Sequence, residues 1–345
     1  MSQQADRRSP LRRDCGEAEK QEIEKFYDLR LLHPSLNSFA SPQSPEQWLR
    51  RISNLMISAY FIHLLILIGI YLILAVSLQL TIGFSGLLNL GHIAFYAIGA
   101  YASALLALAG WPWIVCFLSA GITAMLFGFV LALPSNKLKG DYLALATLGF
   151  SFVVYAVLLN WTSLTRGPLG LPGIPKPEIF NIDFSSNASF LVLTAIIALI
   201  SYLIIKRITA SPFGRAMQAA RDDELAARVL GKNTFKIKSI SLAVSAFFAG
   251  LAGSLYASYI TFIDPSSFTI MQLIPVLCIV IIGGLASLKG TVIACVILVL
   301  LPEPLRFIGF PSSIIGPARQ IIYALILLLI LIFRPKGFFG KVELE

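Results

Sequence analysis

The sequence predicts an all-α protein, a polytopic bundle of transmembrane helices with about nine spans (eight to ten). Three observations point there. Of the 345 residues, 57% are hydrophobic and 13% charged, with a mean hydropathy of +0.80, against roughly 25% charged residues in a soluble domain. Residues 55–136 contain no Asp, Glu, Lys or Arg, and solvated faces need charge. Apolar runs near the ~20 residues that cross a bilayer recur along the chain. A soluble enzyme and a nucleic-acid-binding domain are excluded, so the net charge of +9 must have another use.

The candidate spans are residues 55–82, 92–109, 114–133, 142–161, 190–205, 240–263, 271–288, 291–308 and 314–333. The first run begins too late and is too long for a cleavable signal peptide. Gly and Pro lie in or beside the runs, at Gly83, Gly86, Gly91, Pro275, Gly283, Gly284 and Pro302. Such breaks persist in a membrane only where protein or a water-filled path satisfies the freed backbone. Small residues recur at four-residue spacing, Gly99, Ser103 and Ala107, then Ala246, Gly250 and Ser254. That spacing suits close helix packing. Cys15, Cys116, Cys278 and Cys295 form no CxxC pair, and three sit in apolar runs as small buried hydrophobes. No metal site is expected.

Orientation follows from Lys and Arg in short loops. Residues 206–238 hold eight basic and three acidic residues, which places them in the cytoplasm. Lys137 and Lys139, and Arg334, Lys336 and Lys341, put the 134–140 loop and the C-terminus on that side too. The 162–189 loop, with its run GPLGLPGIPKP, and the turn at 264–268 then face outward. Much of the +9 is therefore a topology signal. Counting back from residue 134 puts residues 1–54 outside, whereas Arg7, Arg8, Arg12, Arg13, Arg50 and Arg51 argue for inside. Either residues 83–99 form a broken or re-entrant helix, or the acidic residues of the tail weaken its signal. Residues 1–54 read as a polar, partly disordered tail. Within it, residues 44–53 are an interfacial amphipathic entry or plain linker.

The most informative stretch is SPFGRAMQAARDDELAARVLGKNTFKIKS, residues 211–239. Ser211 and Pro212 start a helix as N-cap and first-turn proline, and Gly231 stops it. Residues 211–231 thus form one short cytoplasmic helix. One reading is a solvated surface helix of mixed charge. The other is a docking helix, where Ala and Gly permit close approach and charged flanks fix register.

The segment resembles the coupling loop of permease subunits in binding-protein-dependent ABC importers, which carry Glu-Ala-Ala, three residues, then Gly. Here Glu224, Leu225, Ala226 and Ala227 precede Gly231, with one inserted Leu as in the branched-chain amino acid branch. GFSGLLNLGHIAFYAIGAY (83–101), LKGDYLALATLGF (138–150) and RGPLGLPGIP (166–175) resemble successive blocks of that branch. So do FFAGLAGSLYASY (247–259), IGGLASLKG (282–290) and FRPKGFFG (333–340). Six blocks in order over about residues 70–340 are specific and resemble the LivM-type permeases, whose urea and amide relatives share most of them. Members usually begin with an extra apolar helix, where this chain has its polar tail.

The resemblance implies a permease domain over residues 55–340 in a bacterial cytoplasmic (inner) membrane. It implies a second homologous, LivH-like permease subunit, two cytoplasmic ABC ATPases and a periplasmic or lipid-anchored substrate-binding protein. ATP and Mg would be held by the ATPases, leaving this chain without a cofactor and not itself an enzyme. In keeping with that, the sequence has no GxxxxGK[ST] phosphate loop. The coupling residues it implies are Gly214, Arg215, Ala220, Asp222, Asp223, Glu224, Ala226, Ala227 and Gly231.

Polar residues within apolar spans are the default candidates for a translocation pathway. They are Gln79, Ser85, Asn89, His92, Thr147, Ser151, Asn160 and Gln272, with Asp141 at a boundary. Each alone also reads as a helix–helix hydrogen bond, and His63 and His92 as structural histidines. An ion-coupled secondary transporter would need Asp or Glu in the spans, which hold essentially none. A membrane enzyme would need a convergent His/Glu/Asp site, and three scattered histidines give none. Branched-chain amino acids lead as substrate, on resemblance, with urea and short amides as alternatives.

Overall fold

The computed structural model describes residues 45–135, 138, 140–179, 182–303, 312–333 and 337–340. Each predicted apolar run overlaps a helix among the described residues, although the 271–288 run crosses a break at 284–287 and residues 304–308 of the 291–308 run lie outside the described residues. Helix α1 (Pro45–Gln79) continues as a π-helical turn, Leu80–Phe84, and then breaks. After an irregular stretch, α2 runs over His92–Leu108, α3 over Trp113–Ser135, α4 over Asp141–Asn160 and α5 over Asn187–Ala210. Two short helices follow, α6 (Pro212–Asp222) and α7 (Glu224–Val229). The bundle is completed by α8 (Thr234–Ile260), α9 (Ile270–Gly283), α10 (Leu288–Leu300) and α11 (Ser312–Phe333).

Among the described residues, six helices are long and apolar enough to cross a membrane: 59–84 and those containing α3, α4, α5, α8 and α9. Residues 92–108, 288–300 and 316–330 are shorter apolar helices. At 1.5 Å per residue α10 reaches only about 20 Å. The chain is thus an all-α polytopic protein. Of the polar tail expected over residues 1–54, residues 1–44 lie outside the described residues, whereas residues 45–54 form the first turns of α1 and are not a linker. The topology markers Lys137, Lys139, Arg334, Lys336 and Lys341 also lie outside the described residues.

Helix α8 is the axis around which the described residues from 59 onward pack. It buries Ala246, Ala249, Ala252 and Leu255 completely and packs against α2 and α3. The small-residue stripes explain how. A Cβ on Gly99 would meet the Gly250 backbone, and one on Gly250 would lie 2.6 Å from Ala124 Cβ. A Cβ on Gly253 would run into Tyr96 O. The outer faces of α3, α4 and α5 expose Phe127, Val130, Phe152, Val153, Leu199 and Leu203, the apolar band that lipid requires.

The expectation of a broken helix over 83–99 is sharpened. The break is confined to residues 85–91, while Gly99 lies within α2 as a packing residue. At the end of the bundle away from α6 and α7, residues Leu171–Pro172 pair antiparallel with Phe262–Ile263. There Phe268 packs on Tyr96, Tyr101 and Tyr256.

Candidate functional site: a helix pair at one end and a cavity between spans

The expected single helix over 211–231 is in fact two. Asp223 adopts an extended conformation (φ −149°, ψ 107°) and its Oδ1 accepts from Leu225 N and Ala226 N at 2.8 and 3.0 Å. A side chain that caps the next helix ends the previous one. Ser211 caps α6 by accepting from Gly214 N, with Pro212 in the first turn. Helix α6 then buries Gly214, Met217 and Ala220 toward α5 and α8. A Cβ on Gly214 would collide with Thr209 O. Gly214→Val is therefore expected to lift α6 off α5 and destabilise the protein by roughly 1–3 kcal/mol, read as a lower melting temperature in detergent.

Helix α7 is tethered through Glu224. Its Oε1 accepts from Arg228 Nη2 at 2.6 Å and from Thr234 Oγ1 at 3.2 Å, and its Oε2 from Lys238 Nζ at 2.8 Å. Burial alone would raise its pKa, but these partners, led by Lys238, hold it below its ordinary value. Gly231 closes α7 at φ +76°, a region open to glycine. Ala227 is buried, whereas Arg215, Asp222, Asp223 and Ala226 are exposed. Leu225, Val229 and Leu230 are 68%, 87% and 76% exposed. The pair thus presents large apolar side chains from a short helix whose own polar groups are internally satisfied.

The polar span residues divide into groups. Gln79, Asn89, His92 and Thr147 are fully buried around the break after α1. Gln79 Nε2 donates to Gly284 O at 2.8 Å, Asn89 Oδ1 accepts from Gly91 N, and His92 Nε2 lies 2.9 Å from Ser77 Oγ. Thr147 Oγ1 accepts from Leu90 N, and Ser151 donates to Leu90 O. Ser85 bonds Ser241 of α8. Asn160 is exposed and returns its amide to Ala156 O, and Asp141 is exposed at the start of α4. His63 stacks on Tyr259 and bonds its hydroxyl at 2.7 Å.

Gln272 stands apart from these. It accepts from Tyr71 OH at 3.1 Å and lines a cavity of about 270 Å³ between α1, α9, α10 and α11, with Pro275, Glu303, Gln320 and Tyr323. Glu303 was missed as a candidate although it lies in the predicted 291–308 run. A lone acid inside an apolar run is itself a functional signal. It is 9% exposed. Arg221 was also passed over. Among the described residues no group of three or more His, Cys, Asp or Glu could hold a metal. Cys116, Cys278 and Cys295 are buried free thiols, and Cys15 lies outside the described residues.

The profile of the family described as branched-chain amino acid transport system / permease component matches residues 60–333. The chain is 37% identical over 310 residues to the high-affinity branched-chain amino acid transport system permease protein LivM of Escherichia coli K12, covering 82% of this chain and 70% of that protein. It is 38% identical over 296 residues to LivM of Salmonella typhimurium, covering 78% and 67%. It is 26% identical over 298 residues to the permease protein LivH of Escherichia coli K12, covering 80% and 92%. No solved structure matches.

Proposed function

Because the chain belongs to the branched-chain amino acid transport permease family, we propose that it is the permease subunit of an ABC importer. It forms part of the path of branched-chain amino acids across the bacterial inner membrane. The observation that carries this reading is the α6–α7 pair. It is anchored to α8 through Glu224 and offers Leu225, Val229 and Leu230 at one end of an apolar bundle. Such a surface suits a soluble partner that must push on the bundle, here the ATPase subunit that binds ATP and Mg.

The substrate class rests on the LivM and LivH relatives. The likeness to both supports pairing with a second, LivH-like permease chain. A binding protein on the outer face delivers the substrate. Residues 92–108 and 316–330 cross with the six longer helices, residues 288–300 enter the membrane as a shorter segment that does not cross it alone, and together they give nine membrane segments and a cytoplasmic C-terminus. Residues 55–340 are the permease domain, and residues 45–54 are the first turns of the helix that enters it. Gln272 and the cavity residues line the pathway, whereas Gln79, Asn89, His92 and Thr147 hold the break together.

The test is uptake by the assembled complex in proteoliposomes, with its binding protein and internal ATP. Labelled leucine is expected to accumulate only with ATP present. Uptake of urea without leucine would overturn the substrate assignment, and ATP-independent uptake driven by an ion gradient would overturn the class.

A further inference from the structure

We propose that Arg221 is a positioning residue that carries the movement of α6 into two paired helix breaks and so into the wall of the cavity. The proposal rests on the importer reading above and adds the route through the bundle.

The chain of contacts is continuous. Arg221 is the penultimate residue of α6 and its side chain is 13% exposed. Nη1 donates to Gly83 O, in the π turn, at 2.6 Å, while Nε and Nη2 hold Asp222 Oδ1 at 2.9 and 2.7 Å. A carbonyl near a helix end lacks an intrahelical donor, so the guanidinium supplies a charge-assisted bond that orients the break. The arginine stem crosses Gly86, where a Cβ would lie 2.5 Å from Arg221 Cγ. A Cβ on Gly83 would in turn lie 2.7 Å from Ala286 N. One turn earlier, Gln79 reaches Gly284 O. The break after α1 is thereby joined to the α9–α10 break, about two hundred residues away in sequence.

The two breaks are copies of one device. Gly86-Leu87-Leu88-Asn89-Leu90 and Gly284-Leu285-Ala286-Ser287-Leu288 each begin on a glycine at positive φ (+67° and +94°) and lead into an apolar helix. Asn89 and Ser287 turn their side-chain oxygens onto Gly91 N and Gly290 N. Ala286 is held at φ +60°, a conformation that costs an alanine energy and persists because its neighbours impose it. The second break joins the helices that carry Gln272, Pro275 and Ile279 on α9 and Leu298 and Val299 on α10, all on the cavity wall. Rotation of α6 therefore pulls on Gly83, shifts Gln79 and Gly284, and changes the angle between two walls of the cavity. Coupling of this kind needs a contiguous network with two arrangements; the contacts above form the network, and in this proposal the second arrangement arises at the two breaks.

The test uses the complete complex in proteoliposomes, with leucine uptake and ATP hydrolysis measured together. Arg221→Ala and Gln79→Leu are each expected to cut leucine imported per ATP hydrolysed by about tenfold, with the ATPase subunits still co-purifying at wild-type ratio. The double variant is expected to be no worse than the poorer single variant, because both interrupt one route. Arg221→Lys, which keeps a cation beside Gly83 O, is expected to recover part of the loss. The relay is refuted by any of three results. These are imports per ATP within about twofold of wild type, losses that multiply in the double variant, or release of the ATPase from the Arg221→Ala complex, which would make Arg221 a docking contact. Should the variants merely melt earlier with unchanged imports per ATP, the role is structural and the relay falls as well. If the wild-type complex fails to couple ATP hydrolysis to any uptake, the importer reading fails first and takes the relay with it.

Discussion

Gly250→Leu is expected to prevent assembly of the bundle, whereas Gly149→Ala is expected to leave it intact. Gly250 lies where α8 meets α2 and α3, and its added Cβ would lie 2.6 Å from Ala124 Cβ and overlap Ala120 O. On the other side α2 approaches so closely that a Cβ on Gly99 would overlap Gly250 Cα. A leucine therefore has no rotamer that avoids a neighbouring backbone. In lipid, helix association gains little from hydrophobicity and depends on close van der Waals contact. Separating α8 from both neighbours then removes the main source of packing energy. The expected loss exceeds about 3 kcal/mol, enough to abolish a monodisperse peak and a cooperative melt in detergent. A Cβ on Gly149 meets nothing within 4 Å, and alanine favours the helix. Equal damage at both positions would show that glycine content, and not the α2–α3–α8 crossing, sets stability.

The same crossing shows how far the sequence could be read. Gly99-Ser103-Ala107 and Ala246-Gly250-Ser254 are visible as stripes, because lipid exposure forces long apolar runs and close packing forces small residues at helical spacing. Which stripe meets which is a tertiary matter, and the structure pairs Gly99 with Gly250 itself. The helix pair near Ser211 was half legible. Ser211, Pro212 and Gly231 announce its ends, but Asp222-Asp223-Glu224 reads equally as an exposed turn of one helix. Only the extended backbone at Asp223 and the capping of Leu225 N and Ala226 N reveal the second start. Gln79 was legible as a polar residue in an apolar span, but its partner and that of Arg221 were not, since Gly284 O and Gly83 O are backbone atoms in distant segments. Glu303 was legible as a charge in an apolar run, but the cavity that gives it meaning is assembled from four helices.

Glu224→Lys is expected to uncouple the ATPase from transport, lowering leucine uptake by the reconstituted complex at least tenfold. The carboxylate gathers Arg228, Thr234 and Lys238, so it binds α7 both to itself and to the first turns of α8. Reversing its charge leaves three cations where one anion held two, with Lys238 only 15% exposed. Like charges at partly buried sites repel with little screening. Helix α7 then detaches from α8, and Leu225, Val229 and Leu230 lose their fixed position. Glu224→Gln keeps acceptors for Thr234 and Arg228 but loses the charge, and should fall between the two. The pH dependence gives a second measurement. Since the folded pKa lies below the ordinary value of 4.5, the tether is complete above that value and is lost as pH falls through the lowered one. Wild-type coupling should therefore show no step from this residue between about pH 6 and pH 8. A wild-type level of uptake in Glu224→Lys would mean that the partner grips α6 alone, with α7 an idle connection between α6 and α8.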